Sequence, residues 1–522
     1  MTKTHFSKKL QQTSTQSDIA ESKKTVFILH DQLNLSVWPD WIQDEKPLLI
    51  FLESEAKSRV LPFHKKKLVY KWSSMRHFAI HCSEQGFPVY YDTIQGWYDE
   101  GLKSILNQSN EMQLYYMKPS EWESRKRLDK LREEYADQVE QLSNSFFFAD
   151  LQNWVHKIEP GYRMEYFYRE MRRETGYLMN KGEPMGGVWN YDEKNRETVP
   201  EDYVIPNITT FSPDKITEEV IGIVKKQYDD HFGSISGFEY AVNRKQATQL
   251  LEEFIDERLA DFGPYEDAMV SGEATLFHSS FSLYLNNGLL TPWEICESAI
   301  KAYKADKAPI NSVEGLIRQI LGWREFVRIY YEAMMPKIRE TNFFDFSNAL
   351  PELFWGDETK MHCLQESIAP VIESGYSHHI QRLMVLSNFS NLTETDPREL
   401  NKWFWLAYID AYEWVVLPNV LGMSTFADGG VLASKPYVSS GNYINKMSNY
   451  CKHCDYSISK KTGKGACPFN YLYWNFVNKQ REGFEKSGRN SFMVSMYDKK
   501  SADDKKAIKH STEQFLAELE RS

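Results

Sequence analysis

The stretch KTVFILHDQLN, residues 24–34, places a short apolar segment directly before a run of polar side chains. A second segment of this kind, KPLLIFLESE, occupies residues 46–55, and two more occupy residues 88–94 and 112–120. Apolar residues at helical spacing fill the intervals between them. Short apolar strands that alternate with helices indicate a parallel sheet. The sequence therefore predicts an open α/β domain over residues 24–155.

The rest of the chain has a different composition. Residues 182–215 are rich in Gly, Pro and Asn, which is typical of irregular structure, so residues 156–240 are predicted to connect two domains. From 241 to 522 nearly every stretch has helical spacing, for example ATQLLEEFIDERLADF at 247–262. The polar residues 1–23 are predicted to form a flexible tail. The fold class is an α/β N-terminal domain followed by a large all-α C-terminal domain.

Composition limits the functional classes. Apolar residues make up 42% of the chain, and the formal net charge is −11. No apolar run approaches the roughly 18 residues of a membrane span, and no signal peptide begins the chain. We therefore expect a cytoplasmic monomer without paired disulfides. Aromatic residues make up 14% of the chain, and there are basic clusters such as residues 124–130. Both features are compatible with a nucleic-acid partner, although the ordinary interpretation of a basic cluster is a solvated helix face.

Three of the six cysteines stand close together in CKHCDYSISKKTGKGACPFN, residues 451–470. Thiolates in this spacing favour a soft metal, and both zinc and an iron–sulfur cluster fit it. A fourth ligand has to come from elsewhere. Cys363 is the best candidate, because Cys82 belongs to the other domain and Cys296 lies within an apolar helix.

Hydroxyl and cationic side chains form two further motifs. In LFHSSFSLYLNNGLLTPWEI, residues 276–295, small hydroxyl residues precede a helix whose N-terminus could hold a phosphate or could simply be capped. In IRQILGWREFVRIYY, residues 317–331, polar side chains such as Gln319 and Arg324 decorate an otherwise apolar helix.

Two later motifs place charge inside apolar helices. GYSHHIQRLMVLSNF, residues 375–389, contains two adjacent histidines and Arg382. A buried cation needs a partner. Asp410, in the tryptophan-rich stretch 401–430, is the candidate partner of Arg382.

Taken in order, these stretches resemble the photolyase–cryptochrome family from about residue 24 to the end. FILHDQLN is similar to that family's opening strand, and HSSFSLYLNNGLL to its flavin-phosphate loop. RQILGWREFVR and HHIQRLMV resemble its flavin-cradling helices. The four cysteines resemble those of the iron–sulfur bacterial branch, which contains the prokaryotic (6-4) photolyases and their cryptochrome-like relatives.

The resemblance implies two cofactors in the helical domain. One is FAD, and the residues that would bind it are Tyr265, His278, Ser279, Ser280, Ser282, Gln319, Arg324, Arg382 and Asp410. The other is a [4Fe–4S] cluster, and its implied ligands are Cys363, Cys451, Cys454 and Cys467.

The resemblance also implies a light-driven activity. Reduced FAD would donate an electron to a (6-4) photoproduct flipped out of ultraviolet-damaged DNA. His379 would move the proton that this repair needs, with His378 and Tyr437 beside it in the pocket. The alternative is that both histidines are core residues whose hydrogen bonds are made within the protein and that neither takes part in catalysis. The flavin would be reduced through Trp403 and Trp355, and Leu383 stands where animal enzymes carry a second active-site histidine.

An antenna chromophore is expected in the N-terminal domain. The iron–sulfur branch implies 6,7-dimethyl-8-ribityllumazine, held by Asp31, Gln32 and Glu53. Lys57 and His30 depart from the residues that the resemblance leads us to expect there. A cryptochrome-like blue-light photoreceptor without repair activity is the alternative function. A light-independent flavoprotein oxidoreductase is disfavoured, since no Rossmann glycine fingerprint is present.

Overall fold

The computed structural model of the protein describes residues 4–13, 19–482, 484 and 491–519. Its five long strands are β1 Lys24–Phe27, β2 Leu48–Ser54, β3 Val89–Ile94, β4 Gln113–Met117 and β5 Val139–Leu142. They form one parallel sheet in the order β3-β2-β1-β4-β5. The predicted open α/β domain is therefore confirmed. A small antiparallel hairpin, β6 Met179–Asn180 and β7 Glu183–Pro184, follows in the connector.

Both faces of the central strands are buried. Val26, Leu49 and Phe51 point into the large core that continues into the helical domain. Their neighbours Phe27 and Ile50 point into a second core on the opposite face. Side chains alternate across a strand with a period of two, so a strand covered by helices on both faces is a continuous apolar run. This is why KTVF and LLIFLES predict central strands.

The α-helices up to residue 240 are α1 His5–Thr13, α2 Asp40–Glu45, α3 Glu55–Ser58, α4 Lys65–Glu84, α5 Tyr98–Leu106, α6 Trp122–Glu134, α7 Leu151–Trp154, α8 Met164–Thr175 and α9 Lys215–Gln227. The later ones are α10 Arg244–Glu257, α11 Leu259–Phe262, α12 Ser282–Asn286, α13 Pro292–Lys304, α14 Ile310–Ile317, α15 Glu325–Met334, α16 His362–Ser374, α17 Asn388–Leu392, α18 Pro397–Ala407, α19 Glu413–Leu417, α20 Gly441–Met447, α21 Pro468–Lys479, α22 Ser491–Asp498 and α23 Ala502–Leu519. None of the described helices is both long enough and apolar enough to cross a membrane.

Two parts of the chain differ from the sequence-based expectation. Helix α1 is docked, because Phe6 is buried against Ile80 and Ile216 and its backbone N–H donates to Glu219 at 3.1 Å. Residues 5–13 of the predicted flexible tail therefore form a docked helix, while residues 1–3 and 14–18 lie outside the described residues. The sequence analysis also missed β5, whose four residues VEQL carry too weak an apolar pattern.

Backbone hydrogen bonds join the two domains. The N–H of Leu33, just after β1, donates to the carbonyl of Asn287 at 3.0 Å. The N–H of His64 donates to the carbonyl of Leu406 at 2.8 Å. Gly288 lies at this junction with a φ of +90°, and an added Cβ there would lie 2.9 Å from the backbone nitrogen of Leu33. Only glycine avoids both the left-handed strain and the clash.

We therefore expect Gly288→Ala to destabilise the protein strongly. The left-handed conformation costs a non-glycine residue about 1–2 kcal/mol, and overpacking adds roughly 1–3 kcal/mol. Gly161→Ala is the matched control, because Gly161 has a φ of +97° but no neighbour within 4 Å of an added Cβ. Denaturant unfolding should show a clearly larger loss for Gly288→Ala. Equal losses for the two variants would mean that the domain junction tolerates the methyl group.

Candidate functional site

A cavity of about 350 Å³ lies inside the helical domain. Three π-helical segments, Arg318–Arg324, Gln381–Ser387 and Pro418–Ser424, each contribute side chains to its wall. Such turns are rare, and they occur frequently at functional sites because the extra residue redirects neighbouring side chains. Further parts of the wall come from the loop 278–282 and from segment 410–416.

The serine loop forms one end of the cavity. Ser279, Ser280 and Ser282 all line it. Ser280 has a φ of +56°, a left-handed conformation that a serine adopts only under local constraint. The hydroxyl of Ser282 donates to Asp410 at 2.7 Å. The other two hydroxyl groups, at a loop that turns into a helix, suit the oxygen atoms of a phosphate or pyrophosphate.

An ion pair forms the middle of the cavity wall. Arg382 donates to both oxygens of Asp410, with Nη1 to Oδ1 at 3.1 Å and Nη2 to Oδ2 at 3.0 Å. Its Nε donates to the carbonyl of Ser377 at 2.7 Å. Burial lowers the pKa of Arg382, but the charge and hydrogen bonds of Asp410 together with the neighbouring Tyr408 and Tyr376 raise it by more, so the net pKa lies above its ordinary value. The pair predicted from sequence therefore exists, and it is a bidentate one.

Gln319 and Arg324 also line the cavity, as predicted. The side-chain amide of Gln319 donates to Glu266 at 2.6 Å. Arg324 is paired with Glu325 at 2.9 Å, and its guanidinium carbon lies 4.1 Å above the centre of the Phe147 ring. The buried Nε of Arg324 has no hydrogen-bond partner, so a donor remains available beside the cavity.

Tyr265 does not belong to this cavity. Its ring is buried in a separate small cluster, 5.2 Å from the ring of Phe277 and 5.5 Å from that of Tyr203. The sequence interpretation that Tyr265 assists in cofactor binding is not supported by this position. The adjacent Glu266, which the sequence analysis did not single out, reaches the cavity instead.

Three histidines meet at the cavity's edge. Nitrogen atoms of His278, His378 and His379 all lie within 4.8 Å of one another. Burial, together with the charge of His379, lowers the pKa of His278 to about 3, and its two nitrogens face the carbonyls of Thr275 and Glu266 at 3.0 and 3.1 Å. Burial lowers the pKa of His378 well below its ordinary value as well, and neither of its nitrogens has a partner.

His379 is different, because its side chain is 45% exposed. Its Nε2 lies 3.8 Å from Oδ1 of Asp267, and the hydroxyl of Tyr443 donates to Oδ2 of the same carboxylate at 3.4 Å. Burial raises the pKa of Asp267, but the neighbouring His379 ring, the charge of Arg196 and the Tyr443 hydroxyl lower it by more, so the net pKa lies below its ordinary value. Asp267 was missed in the sequence, where it is one acidic residue among 73.

The four cysteines come together as predicted. Cys363, Cys451, Cys454 and Cys467 line one small pocket, closed by apolar side chains such as Phe469. Among the residues that the structure describes, no three of these sulfur atoms lie within 4.8 Å of one another. Tetrahedral zinc, with Zn–S bonds of about 2.3 Å, holds its sulfurs only about 3.8 Å apart. One tetrahedral zinc ion would therefore require these sulfurs to lie closer together than they do here.

Hydrogen bonds connect the cysteine segment to the histidines. The side-chain amide of Gln381 donates to the hydroxyl of Tyr450 at 3.0 Å, and Tyr450 directly precedes Cys451. The carbonyl oxygen of the same Gln381 side chain accepts from the backbone N–H of His378 at 3.1 Å. A displacement of the cysteine segment would thus be transmitted to the histidine backbone.

The two predicted tryptophans lie between the cavity wall and the surface. Trp403 is fully buried, and its indole N–H donates to the carbonyl of Phe354 at 2.9 Å. Its ring centre lies 5.7 Å from that of Tyr408, which the guanidinium of Arg382 covers at 4.0 Å. Trp355 follows Phe354 and is 43% exposed.

Comparison with known proteins identifies the family. The chain is 40% identical over 504 residues, which is 95% of its length, to the (6-4) photolyase of Agrobacterium fabrum strain C58, and it covers 99% of that protein. It belongs to the photolyase–cryptochrome family. Residues 26–240 also match the family model of deoxyribodipyrimidine photo-lyase-related proteins.

Solved photolyase and cryptochrome structures share the fold. A class III photolyase from Agrobacterium tumefaciens superimposes with a TM-score of 0.58 at 14% identity, covering 98% of this chain and 99% of that one. A cryptochrome from Synechocystis superimposes with a TM-score of 0.54 at 14% identity, covering 88% and 93%. The two-domain architecture of this chain is therefore that of the photolyases.

The residues predicted to hold a photolyase antenna are all buried at the carboxyl end of the sheet. Asp31 is 7% exposed, Gln32 is fully buried and Glu53 is 2% exposed. Burial, followed by the charge of Glu121, raises the pKa of Asp31 to about 6. Glu53 forms a two-pronged ion pair with Arg76.

The Arg382–Asp410 pair leads to a prediction about stability. Asp410→Asn removes the charge that balances a largely buried guanidinium, so we expect a loss of about 3 kcal/mol, at the low end of the range for breaking a buried pair. Asp396→Asn is the control, because the partner of Asp396, Arg398, is 41% exposed and a surface pair contributes little. Thermal melting of both variants in parallel measures the difference, and similar melting temperatures would contradict a structural role for the buried pair.

Proposed function

We propose that the protein is a (6-4) photolyase, an FAD-dependent lyase that repairs ultraviolet-damaged DNA with light. Its 40% identity over 504 residues to a protein of that name supports the activity. The single structural observation that carries the proposal is the half-exposed His379 beside Asp267 at the mouth of the cavity. Repair of a (6-4) lesion requires a proton donor at this place. A protein that only absorbs light would not need one.

The cavity's chemistry fits FAD. The hydroxyls of Ser279 and Ser280 would donate to its pyrophosphate, while the hydroxyl of Ser282 stays with Asp410 and holds the loop in place. The unpartnered Nε of Arg324 offers one more donor. Arg382 places a positive charge on the wall, fixed in orientation by both oxygens of Asp410. A guanidinium held in this way favours an anionic ring beside it. When bound and reduced, FAD supplies the light-driven electron that opens the lesion.

The protein's own contribution is to position the lesion and a proton. A damaged base pair reaches the cavity only after it is flipped out of the duplex. His379 would donate the proton from its half-exposed ring, and the carboxylate of Asp267 lies 3.8 Å from its Nε2. His378 lies behind it as a neutral ring, since burial and the neighbouring His278 lower its pKa. Leu383, which stands where animal enzymes have a second histidine, lines the same cavity and supplies no proton.

His379→Ala should abolish repair of (6-4) photoproducts and leave FAD bound, because the proton donor is lost while the cofactor's residues remain. The measurement is chromatography of a (6-4)-containing oligonucleotide after illumination, with the flavin spectrum of each variant. His510→Ala is the matched control, since His510 is exposed on the last helix, α23, and should keep full activity.

Two other results would contradict the proposal. Repair by His379→Ala at the wild-type rate would show that the histidine is structural. Wild-type protein that binds FAD and responds to light but leaves the lesion unaltered would favour the blue-light photoreceptor over the photolyase.

We also propose that the four cysteines hold a [4Fe–4S] cluster. A cluster of several irons separates its thiolates more widely than one zinc ion does, in agreement with the spacing of these sulfurs. Because Gln381 joins Tyr450 to the backbone of His378, the cluster would hold one side of the histidine site in place. Its role in this proposal is structural, since binding energy at such a site is folding energy.

Cys454→Ala tests this role, because Cys454 is only partly buried. As a free thiol it should tolerate alanine better than Cys296, which is fully buried in α13. If a cluster depends on Cys454, Cys454→Ala is instead the more destabilising of the two substitutions. We expect Cys454→Ala to give little soluble protein with low iron, sulfide and FAD contents, and Cys296→Ala to lose only about 1 kcal/mol, as expected for removal of a small buried group. Full FAD occupancy and normal yield of an iron-free Cys454→Ala variant would contradict the structural role.

A further inference from the structure

The crevice between the domains at the carboxyl end of the sheet is where an open α/β sheet binds its ligand. We define the antenna crevice by five residues: His30 and Asp31 after β1, Glu53 at the end of β2, Lys57 in α3 and Glu121 after β4. All five are at least nine-tenths buried. The antenna expected from the family, 6,7-dimethyl-8-ribityllumazine, would have to find both space and hydrogen-bond partners here.

Glu53 has no hydrogen-bonding capacity left for a ligand. Its Oε1 accepts from Arg76 at 2.8 Å and from the hydroxyl of Tyr91 at 2.5 Å. Its Oε2 accepts from Arg76 at 3.0 Å and from the hydroxyl of Thr93 at 3.2 Å. An ionised carboxylate offers about four lone-pair sites, and four protein donors occupy them.

Both polar atoms of the Gln32 side-chain amide also have protein partners. Its amide nitrogen donates to the carbonyl of Met117 at 3.2 Å, and its amide oxygen accepts from the backbone N–H of Leu29 at 3.4 Å. The first bond ties the loop after β1 to the end of β4, and the second is local to that loop. Of the three predicted antenna residues, only Asp31 has a side-chain atom, Oδ1, without a partner.

A buried ion pair crosses the crevice. Lys57 Nζ lies 2.5 Å from Oε2 of Glu121, and the two side chains are only 6% and 7% exposed. The other oxygen of Glu121 accepts from the backbone N–H of Glu413 in the helical domain at 3.2 Å. A ligand that entered between Lys57 and Glu121 would leave two buried charges unbalanced, which is strongly unfavourable.

An aromatic stack closes the remaining side. The ring of His30 lies parallel to that of Tyr412, with centroids 5.6 Å apart and an interplanar angle of 11°. The hydroxyl of Tyr98 reaches Nδ1 of His30 at 3.4 Å. Tyr412 belongs to the helical domain, so His30 fills the interdomain space that a flat heterocycle would enter. Three buried atoms here have no hydrogen-bond partner: His30 Nε2, Asp31 Oδ1 and the Tyr412 hydroxyl oxygen.

We infer that the side chains of His30, Lys57 and Glu121 occupy the antenna crevice, and that this protein does not bind 6,7-dimethyl-8-ribityllumazine there. The inference rests on the proposed photolyase assignment only for the identity of the expected antenna. Its test does not involve repair. FAD would then be the chromophore that collects light for the reaction.

The test uses the purified full-length protein with FAD bound. Free lumazine is titrated with the protein while its fluorescence anisotropy is recorded, and lumazine and FAD are quantified after denaturation of protein from a host that makes both. We expect FAD near one per chain, lumazine far below one per chain and no rise in anisotropy. A saturating rise, or one lumazine per chain, would overturn the inference. Protein with FAD but no repair would overturn the proposed function and leave this inference intact.

A second experiment tests whether the three side chains exclude lumazine by filling the antenna crevice. His30→Gly, Lys57→Ala and Glu121→Gln combined open the crevice and keep an acceptor for the Glu413 N–H, so we expect lumazine binding to appear. The control variant combines Lys24→Ala with Glu45→Gln, which removes a half-exposed ion pair elsewhere on the sheet domain. This variant should not bind lumazine. FAD content reports whether each variant is folded. A folded, open variant that still excludes lumazine would overturn the explanation that these side chains fill the site.

Discussion

The Asp410 carboxylate is the interaction on which the rest of the site depends. It accepts both arms of Arg382 and the hydroxyl of Ser282, so it joins a π-helical segment to the serine loop. The side-chain amide of Asn286 in turn donates to the backbone carbonyl of Asp410 at 3.0 Å. Three walls of the cavity are thereby fixed relative to one another. A buried carboxylate of this kind is stable only while its partners stay in place, so the cavity is held in one arrangement.

Much of this architecture could be predicted from the sequence, because the decisive residues are chemically unusual. The continuous apolar runs at β1 and β2 indicate central strands, and the spacing of the cysteines indicates a shared site with Cys363. Arg382 and Asp410 are detectable because charges inside apolar helices need partners. The resemblance to the photolyase family gave these motifs their roles, which composition and periodicity alone do not provide.

The remaining features depend on tertiary contacts that no local pattern encodes. Asp267 matters only because the fold brings it to His379. Tyr265 is close in sequence to the cavity but packs into a different cluster. The three π-helical segments look like ordinary helices in sequence, since a single inserted residue shifts the register without changing composition. Helix α1 is stable only because Phe6 finds a buried position against α4 and α9.

The repair activity itself is tested most directly by giving the illuminated wild-type protein two oligonucleotides of the same sequence. One carries a (6-4) photoproduct and the other a cyclobutane dimer, and both are followed by chromatography. The arrangement of His379 and Asp267 supplies a proton, which the (6-4) lesion needs for its rearrangement. We predict that the (6-4) oligonucleotide is restored and that the dimer persists. Restoration of the dimer alone, or of neither, would contradict the account.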